Sequence, residues 1–144
     1  MEICFVCTGN ASRSPMAEII AKNELDKLRI NWIVYSRGTK AAEGEPVSRR
    51  AQLVCGEIGL DISAKKRRRL ADDDIRGNTI FVVMEPGHIV ELKESFGVSE
   101  DRIYMLGNGI PDPRDCDIEI YRSCRDKITV EVKRLIGTLA KLTE

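Results

Sequence analysis

Histidine is almost missing from this 144-residue chain, which has only His88. A mechanism built on a Cys-His or Ser-His pair therefore has one residue to draw on. His88 follows Pro86-Gly87 at an expected helix start, where an ordinary solvated position is predicted. Aromatic residues are scarce too, at 5% of the chain. The five cysteines, Cys4, Cys7, Cys55, Cys116 and Cys124, are an odd number, and the one C-x-x-C spacing, Cys4-Phe5-Val6-Cys7, lies in an apolar run with no second half of a zinc site elsewhere. That argues against a disulfide framework and a structural metal site, and leaves a thiol free to act as a nucleophile. Net charge of one sign is lacking as well: Lys+Arg and Asp+Glu number 23 each. No global field draws such a chain to nucleic acid or to an anionic membrane. No apolar run approaches spanning length, and the N-terminus has no basic stretch leading into a long apolar one. A cytoplasmic protein with reduced thiols is the expectation.

What is present alternates. Ile3 to Val6, Trp32 to Tyr35, Ile80 to Met84 and Ile103 to Leu106 are short apolar runs that read as buried strands. Between them, apolar residues step by three or four: Ala17, Ala21, Leu25 and Leu28; Val47, Ala51, Val54 and Ile58; Ile89, Leu92 and Phe96. A last stripe runs through Tyr121, Cys124, Ile128, Val132, Leu135, Leu139 and Leu142. The expected fold is α/β, a single domain over 1–144 with a four-stranded parallel sheet and helices on both faces. Ligands of such sheets bind at the carboxyl ends of strands, where Cys7 falls. Two charge runs, Lys65 to Arg69 and Asp72 to Asp74, read as a solvated turn of offsetting charges; the basic one is also a candidate docking patch for an anionic partner.

The stretch CTGNASRSP at 7–15 joins the first strand to the first helix. A loop leaving a strand and entering a helix turns successive N–H groups inward, making a concave anion nest with the helix N-terminus behind it. The same field favours a thiolate. Arg13 adds a planar fork for two non-bridging oxygens, so five residues wrap a tetrahedral oxyanion between nucleophile and clamp. Within this phosphate loop, Gly9 is expected to allow a conformation or close approach that a Cβ would obstruct. Asn10 can hydrogen-bond across the loop, Ser14 can donate to the thiolate, and Pro15 suits the first helical turn. The G-x-x-x-x-G-K-[ST] nucleotide loop is absent. A thiolate attacking a phosphoester needs an acid for the leaving group. Asp112, before Pro113 and just past the last strand, is the first candidate; Asp115 and Asp117 are its competitors.

These residues resemble the low-molecular-weight protein tyrosine phosphatase family, whose signature reads C-x-G-N-x-C-R-S-P with a late Asp-Pro. The resemblance spans nearly the whole chain, because Ser36-Arg37-Gly38-Thr39 is similar to the family's S-x-G-T and Gly59-Leu60-Asp61-Ile62-Ser63 to its G-I-D-x-S turn. It implies Cys7 as nucleophile, Arg13 as transition-state clamp and Asp112 as general acid. Thr8, Gly9, Asn10, Ala11, Ser12 and Ser14 would complete the cradle. It implies a cysteinyl-phosphate intermediate, no metal or organic cofactor, and a phosphorylated protein or small phosphomonoester as substrate.

The chain departs from the family in several places. Ser12 stands where a second cysteine is common, Lys65 replaces a usual histidine, and Arg114-Asp115 and Lys40 to Gly44 stand where aromatic residues commonly form a wall around the phenol ring. Loss of that wall bears on discrimination for phosphotyrosine rather than on phosphoryl transfer. A related protein-arginine phosphatase carries Thr at the place of Ala11, and related arsenate reductases use two further cysteines in a segment after the third strand, where Glu85 to Asp101 has none. A phosphate-binding module with weak turnover is the alternative from outside enzymology.

Overall fold

In the computed structural model, which describes residues 1–143, the chain alternates as expected. The elements are β1 (Glu2–Cys7), α1 (Arg13–Leu28), β2 (Ile33–Gly38), α2 (Arg49–Gly56), β3 (Thr79–Val83), α3 (Pro86–Phe96), β4 (Ile103–Met105) and α4 (Ile118–Leu142). All strands are parallel in the order β2-β1-β3-β4. The order reverses direction at β1, so its carboxyl end opens into the crevice where doubly wound sheets bind ligands.

Alternation along β1 feeds two cores. Ile3, Phe5 and Cys7 face the larger one, with Met16, Ile20 and Leu25 of α1, Val54 of α2, and Ile128, Val132 and Ile136 of α4. Cys4 and Val6 face the other, with Phe81, Val83, Leu92 of α3 and Leu70. Burial of an aliphatic side chain of this size contributes about 1.5–3 kcal/mol relative to exposure. The α4 stripe therefore fixes the long helix firmly behind the loop.

Tertiary context trims the helical patterns. Val47 is buried but precedes α2, whose N-cap is Ser48 with its Oγ accepting from the Ala51 N–H; Ile58 lies exposed beyond the helix end. Leu142 is exposed, and Ile136 takes a core place that the periodic reading passed over. Trp32 stays outside β2, partly buried against the larger core.

His88 is a correction. It lies in the first turn of α3, yet is 1% exposed. Its ring meets the Thr8 hydroxyl just past β1 and the Met84 N–H just past β3, and so fills a space beneath the loop rather than standing in solvent. The charge runs also differ from a simple solvated turn. Asp74 is buried and pairs with Arg37, and residues 66–69 form an extended strap bridged to Pro46 and Gly38.

Candidate active site

The loop from Cys7 to Arg13 is held from outside by its carbonyls. Those of Cys7, Thr8 and Ala11 accept from the N–H groups of Thr39, Lys40 and Ser48, at 3.0, 2.8 and 2.8 Å. With these carbonyls committed to the scaffold, the N–H groups of Gly9 to Ser12 find no protein acceptor among the described residues. They are left for the cleft, beside the N-terminus of α1, and together form an anion nest.

Asn10 shapes that nest. Its φ of 51° lies in the left-handed region, which Asn tolerates better than most residues. Its Oδ1 accepts from the Arg68 N–H at 2.8 Å, while Nδ2 donates to Ser14 Oγ at 2.8 Å and Ser36 Oγ at 3.0 Å. Ser36 Oγ in turn donates to Glu18 Oε1 at 2.6 Å. A backbone N–H can only donate and an ionised carboxylate can only accept, so the two ends of this chain set its direction. Ser14 Oγ, accepting from Asn10, lies 2.9 Å from Cys7 Sγ and 3.5 Å from the Arg37 carbonyl, and its proton goes to the nearer sulfur when Cys7 is a thiolate, which can only accept. The Cys7 side chain is buried, with the Ser14 hydroxyl as its hydrogen-bond partner.

The freedom expected at Gly9 is used elsewhere. A Cβ on Gly9 would meet nothing nearer than 3.8 Å. A Cβ on Gly38, which pairs with Cys7 in the sheet register, would come within 2.7 Å of both Thr8 O and Asn10 N. Gly38 is thus the glycine on which the loop lies.

Arg13 is 3% exposed and opens α1. One amino group donates to the Ile110 carbonyl at 2.9 Å and to Glu85 Oε2 at 3.0 Å; the other lies 3.6 Å from Asp112 Oδ2. Three loops, after β1, β3 and β4, therefore meet at one guanidinium. Glu85 was missed by sequence reasoning. Its one signal was an acidic residue at the carboxyl end of β3, the same sheet edge as Cys7.

Of the three candidate acids, Asp112 is the one beside Arg13. Its Oδ1 accepts from the Arg114 N–H at 3.0 Å, and Pro113 is buried. Asp117 is committed as the N-cap of α4, its side chain accepting from the Ile120 N–H. Asp115, with φ of 62°, lies almost fully in solvent beside Arg114.

His88 was also missed in this role. Its Nδ1 accepts from the Met84 N–H at 3.3 Å, which assigns the proton to Nε2, and Nε2 lies 3.0 Å from Thr8 Oγ1. Burial pushes its pKa below the ordinary 6.5, with Glu85 opposing and Arg13 assisting that shift. Ser12 Oγ and Ser48 Oγ both lie 3.3 Å from the hydroxyl of Tyr121, the one aromatic residue lining the cleft. That cleft, of about 650 Å³, has Cys7 and Arg13 in its lining and Asp112, Arg114 and Asp115 along one side.

Fold and site define a class: an α/β protein that presents a cysteine inside an oxyanion nest at the carboxyl edge of a parallel sheet. The model of the low molecular weight phosphotyrosine protein phosphatases matches residues 2–144, and the chain belongs to that family. It is 34% identical to a protein-arginine-phosphatase from Geobacillus stearothermophilus, over 95% of each chain. It is 31% identical to the low molecular weight protein-tyrosine-phosphatase PtpB of Staphylococcus haemolyticus, over 94% of this chain and 97% of that one. A solved low molecular weight protein tyrosine phosphatase from T. tengcongensis superposes with a TM-score of 0.90 at 31% identity, covering 96% of this chain and 99% of its own.

Proposed function

We propose that this protein is a cysteine-dependent protein tyrosine phosphatase in which Cys7 is the nucleophile. The observation that carries the reading is the 2.9 Å contact from Ser14 Oγ to Cys7 Sγ at the floor of the nest. The Cys7 thiolate attacks phosphorus, the bond to the tyrosyl oxygen breaks, and Asp112 gives that oxygen its proton. Water then attacks the cysteinyl phosphate, Asp112 takes a proton from it, and phosphate leaves as the thiolate is restored. Arg13 and the N–H groups of residues 9–12 hold the equatorial oxygens through both steps, where charge is greatest. Thr8, Gly9, Asn10, Ala11, Ser12 and Ser14 form the cradle. The scheme calls on no metal and no organic cofactor.

A hydrolase is favoured over a thiol-dependent reductase by where the other cysteines lie. Cys124 is buried in α4, with its pKa pushed up to about 12 by desolvation, and so is a poor partner for exchange. A cytoplasmic setting suits the reading, since the nucleophile must stay reduced. No helix among the described residues is long and apolar enough to cross a membrane.

A second reading, phosphoarginine in place of phosphotyrosine, is favoured by the lining, whose one aromatic residue, Tyr121, is buried with its hydroxyl engaged by Ser12 and Ser48. The test is steady-state hydrolysis of p-nitrophenyl phosphate without metal, by the wild type and by Cys7→Ser. Activity confined to the wild type supports the thiol mechanism, and equal activity in both removes Cys7 as nucleophile. Matched phosphotyrosine and phosphoarginine peptides then separate the two substrates.

A further inference from the structure

The mouth of the cleft is cationic, and its cations come from separate segments. Lys40 follows β2, Arg50 lies in the first turn of α2, Arg67 belongs to the strap and Arg114 follows Pro113. Their charges are not equally free. Arg114 faces Asp115, and Asp112 is engaged by Arg13. Lys65 and Arg68, neighbours in the same basic run, are met by Glu18 and Glu43. Lys40, Arg50 and Arg67 have no carboxylate within ion-pair distance among the described residues.

Each of these three stands on backbone tied to the site. The Lys40 N–H donates to Thr8 O at 2.8 Å. Arg50 is two residues past Ser48, whose N–H donates to Ala11 O at 2.8 Å. Arg67 precedes Arg68, whose N–H donates to Asn10 Oδ1 at 2.8 Å, and its own Nε donates to Pro46 O at 2.9 Å. Three uncompensated cations are thus held around the mouth by the loop and its neighbours.

From this rim we infer that the preferred substrate is a phosphotyrosine flanked by Asp or Glu, read by Lys40, Arg50 and Arg67 outside the phosphate cradle. The inference rests on the phosphatase reading above. With Tyr121 the one ring in the lining, and that ring buried, discrimination among phosphotyrosine peptides falls to charge. About three residues of extended chain span a cleft of this size, so acidic side chains that close to the phosphorylated tyrosine can reach the rim. Exposed pairs of this kind are individually weak and screened by salt, and their sum gives selectivity that fades as ionic strength rises.

The experiment compares kcat/KM for three tyrosine-phosphorylated peptides that differ only in flanks of Asp/Glu, Asn/Gln or Lys/Arg, with p-nitrophenyl phosphate alongside. The acidic peptide should exceed the neutral one by about tenfold at low salt, and the ratio should shrink toward one as salt increases. In the Lys40→Gln/Arg50→Gln double variant, checked for native circular dichroism, the acidic-to-neutral ratio should drop to about twofold or less. Equal kcat/KM across the three peptides, or a ratio the double variant leaves intact, overturns the inference. Turnover of p-nitrophenyl phosphate with none of the peptides also overturns it while leaving the thiol mechanism standing. A protein inert toward p-nitrophenyl phosphate overturns both.

Discussion

The side-chain carbonyl of Asn10 accepts a 2.8 Å hydrogen bond from the backbone N–H of Arg68, 58 residues further along the chain. That contact fixes which way the Asn10 amide points, and so which atoms reach Ser14 and Ser36. The strap at 66–69 is therefore a structural clamp on the phosphate loop as well as a source of rim charge.

Asn10→Ala should remove three hydrogen bonds and place a Cβ residue without a polar group at φ 51°, costing about 3 kcal/mol in urea unfolding. It should also lower kcat, because Ser14 Oγ loses the donor that turns its proton toward Cys7. Asn10→Gly relieves the backbone and not the network. It should recover about 1 kcal/mol of stability and none of the kcat, and recovery of both would show that backbone conformation alone matters.

Gly38→Ala puts a methyl group against Thr8 O and Asn10 N, backbone atoms that cannot swing aside. The loop must move, and a protein that still folds should lose about 1–3 kcal/mol of stability and about 10²-fold in kcat/KM for p-nitrophenyl phosphate. Gly9→Ala, with no protein atom closer than 3.8 Å to the new Cβ, should leave unfolding free energy within about 0.5 kcal/mol of wild type.

His88 couples stability to pH. Its folded-state pKa lies below 6.5, so the stability gained from a neutral ring is present above that value. As pH falls below it, the unfolded chain takes up a proton that the folded chain refuses, and stability is lost until the folded-state value is passed. Urea unfolding across this window should show a slope in wild type that His88→Gln reduces. Identical slopes would mean that the ring titrates without a cost from burial.

Asp112→Asn keeps the side chain's size and removes its proton. The rate with an alkyl phosphate, a poor leaving group, should drop by about 10²–10⁴, and that with p-nitrophenyl phosphate by much less. Should Asp115→Asn show this leaving-group dependence instead, the acid belongs at 115.

The alternating strands and helices, and the order in which they occur, were legible because β1, β3 and the stripe on α4 are near-continuous apolar patterns with distinct periods. Element ends were less so. Val47 is buried without being helical and Ile58 is exposed where the pattern continued, because α2 ends where its tertiary contacts do. His88 was misread since a histidine behind Pro-Gly at a helix start looks the same whether the first turn faces water or the underside of a loop.

Of the candidate site, Cys7, Asn10, Arg13 and Ser14 lie within one nine-residue stretch. Strand, turn and helix in immediate succession leave a short chain few ways to direct its N–H groups, so local backbone geometry carries that part. Glu85, His88, Gly38 and the Arg68 backbone meet the loop only because the sheet order β2-β1-β3-β4 brings the ends of four strands together. Separations such as the 97 residues from Arg13 to Ile110 are closed by burial of the two cores rather than by any local pattern. The sequence by itself determined a cysteine and an arginine with five residues between them, at the junction of a strand and a helix. The tertiary structure decided what orients them and which charges stand free at the entrance, since hydrogen-bond direction and ion pairing are properties of neighbours in space.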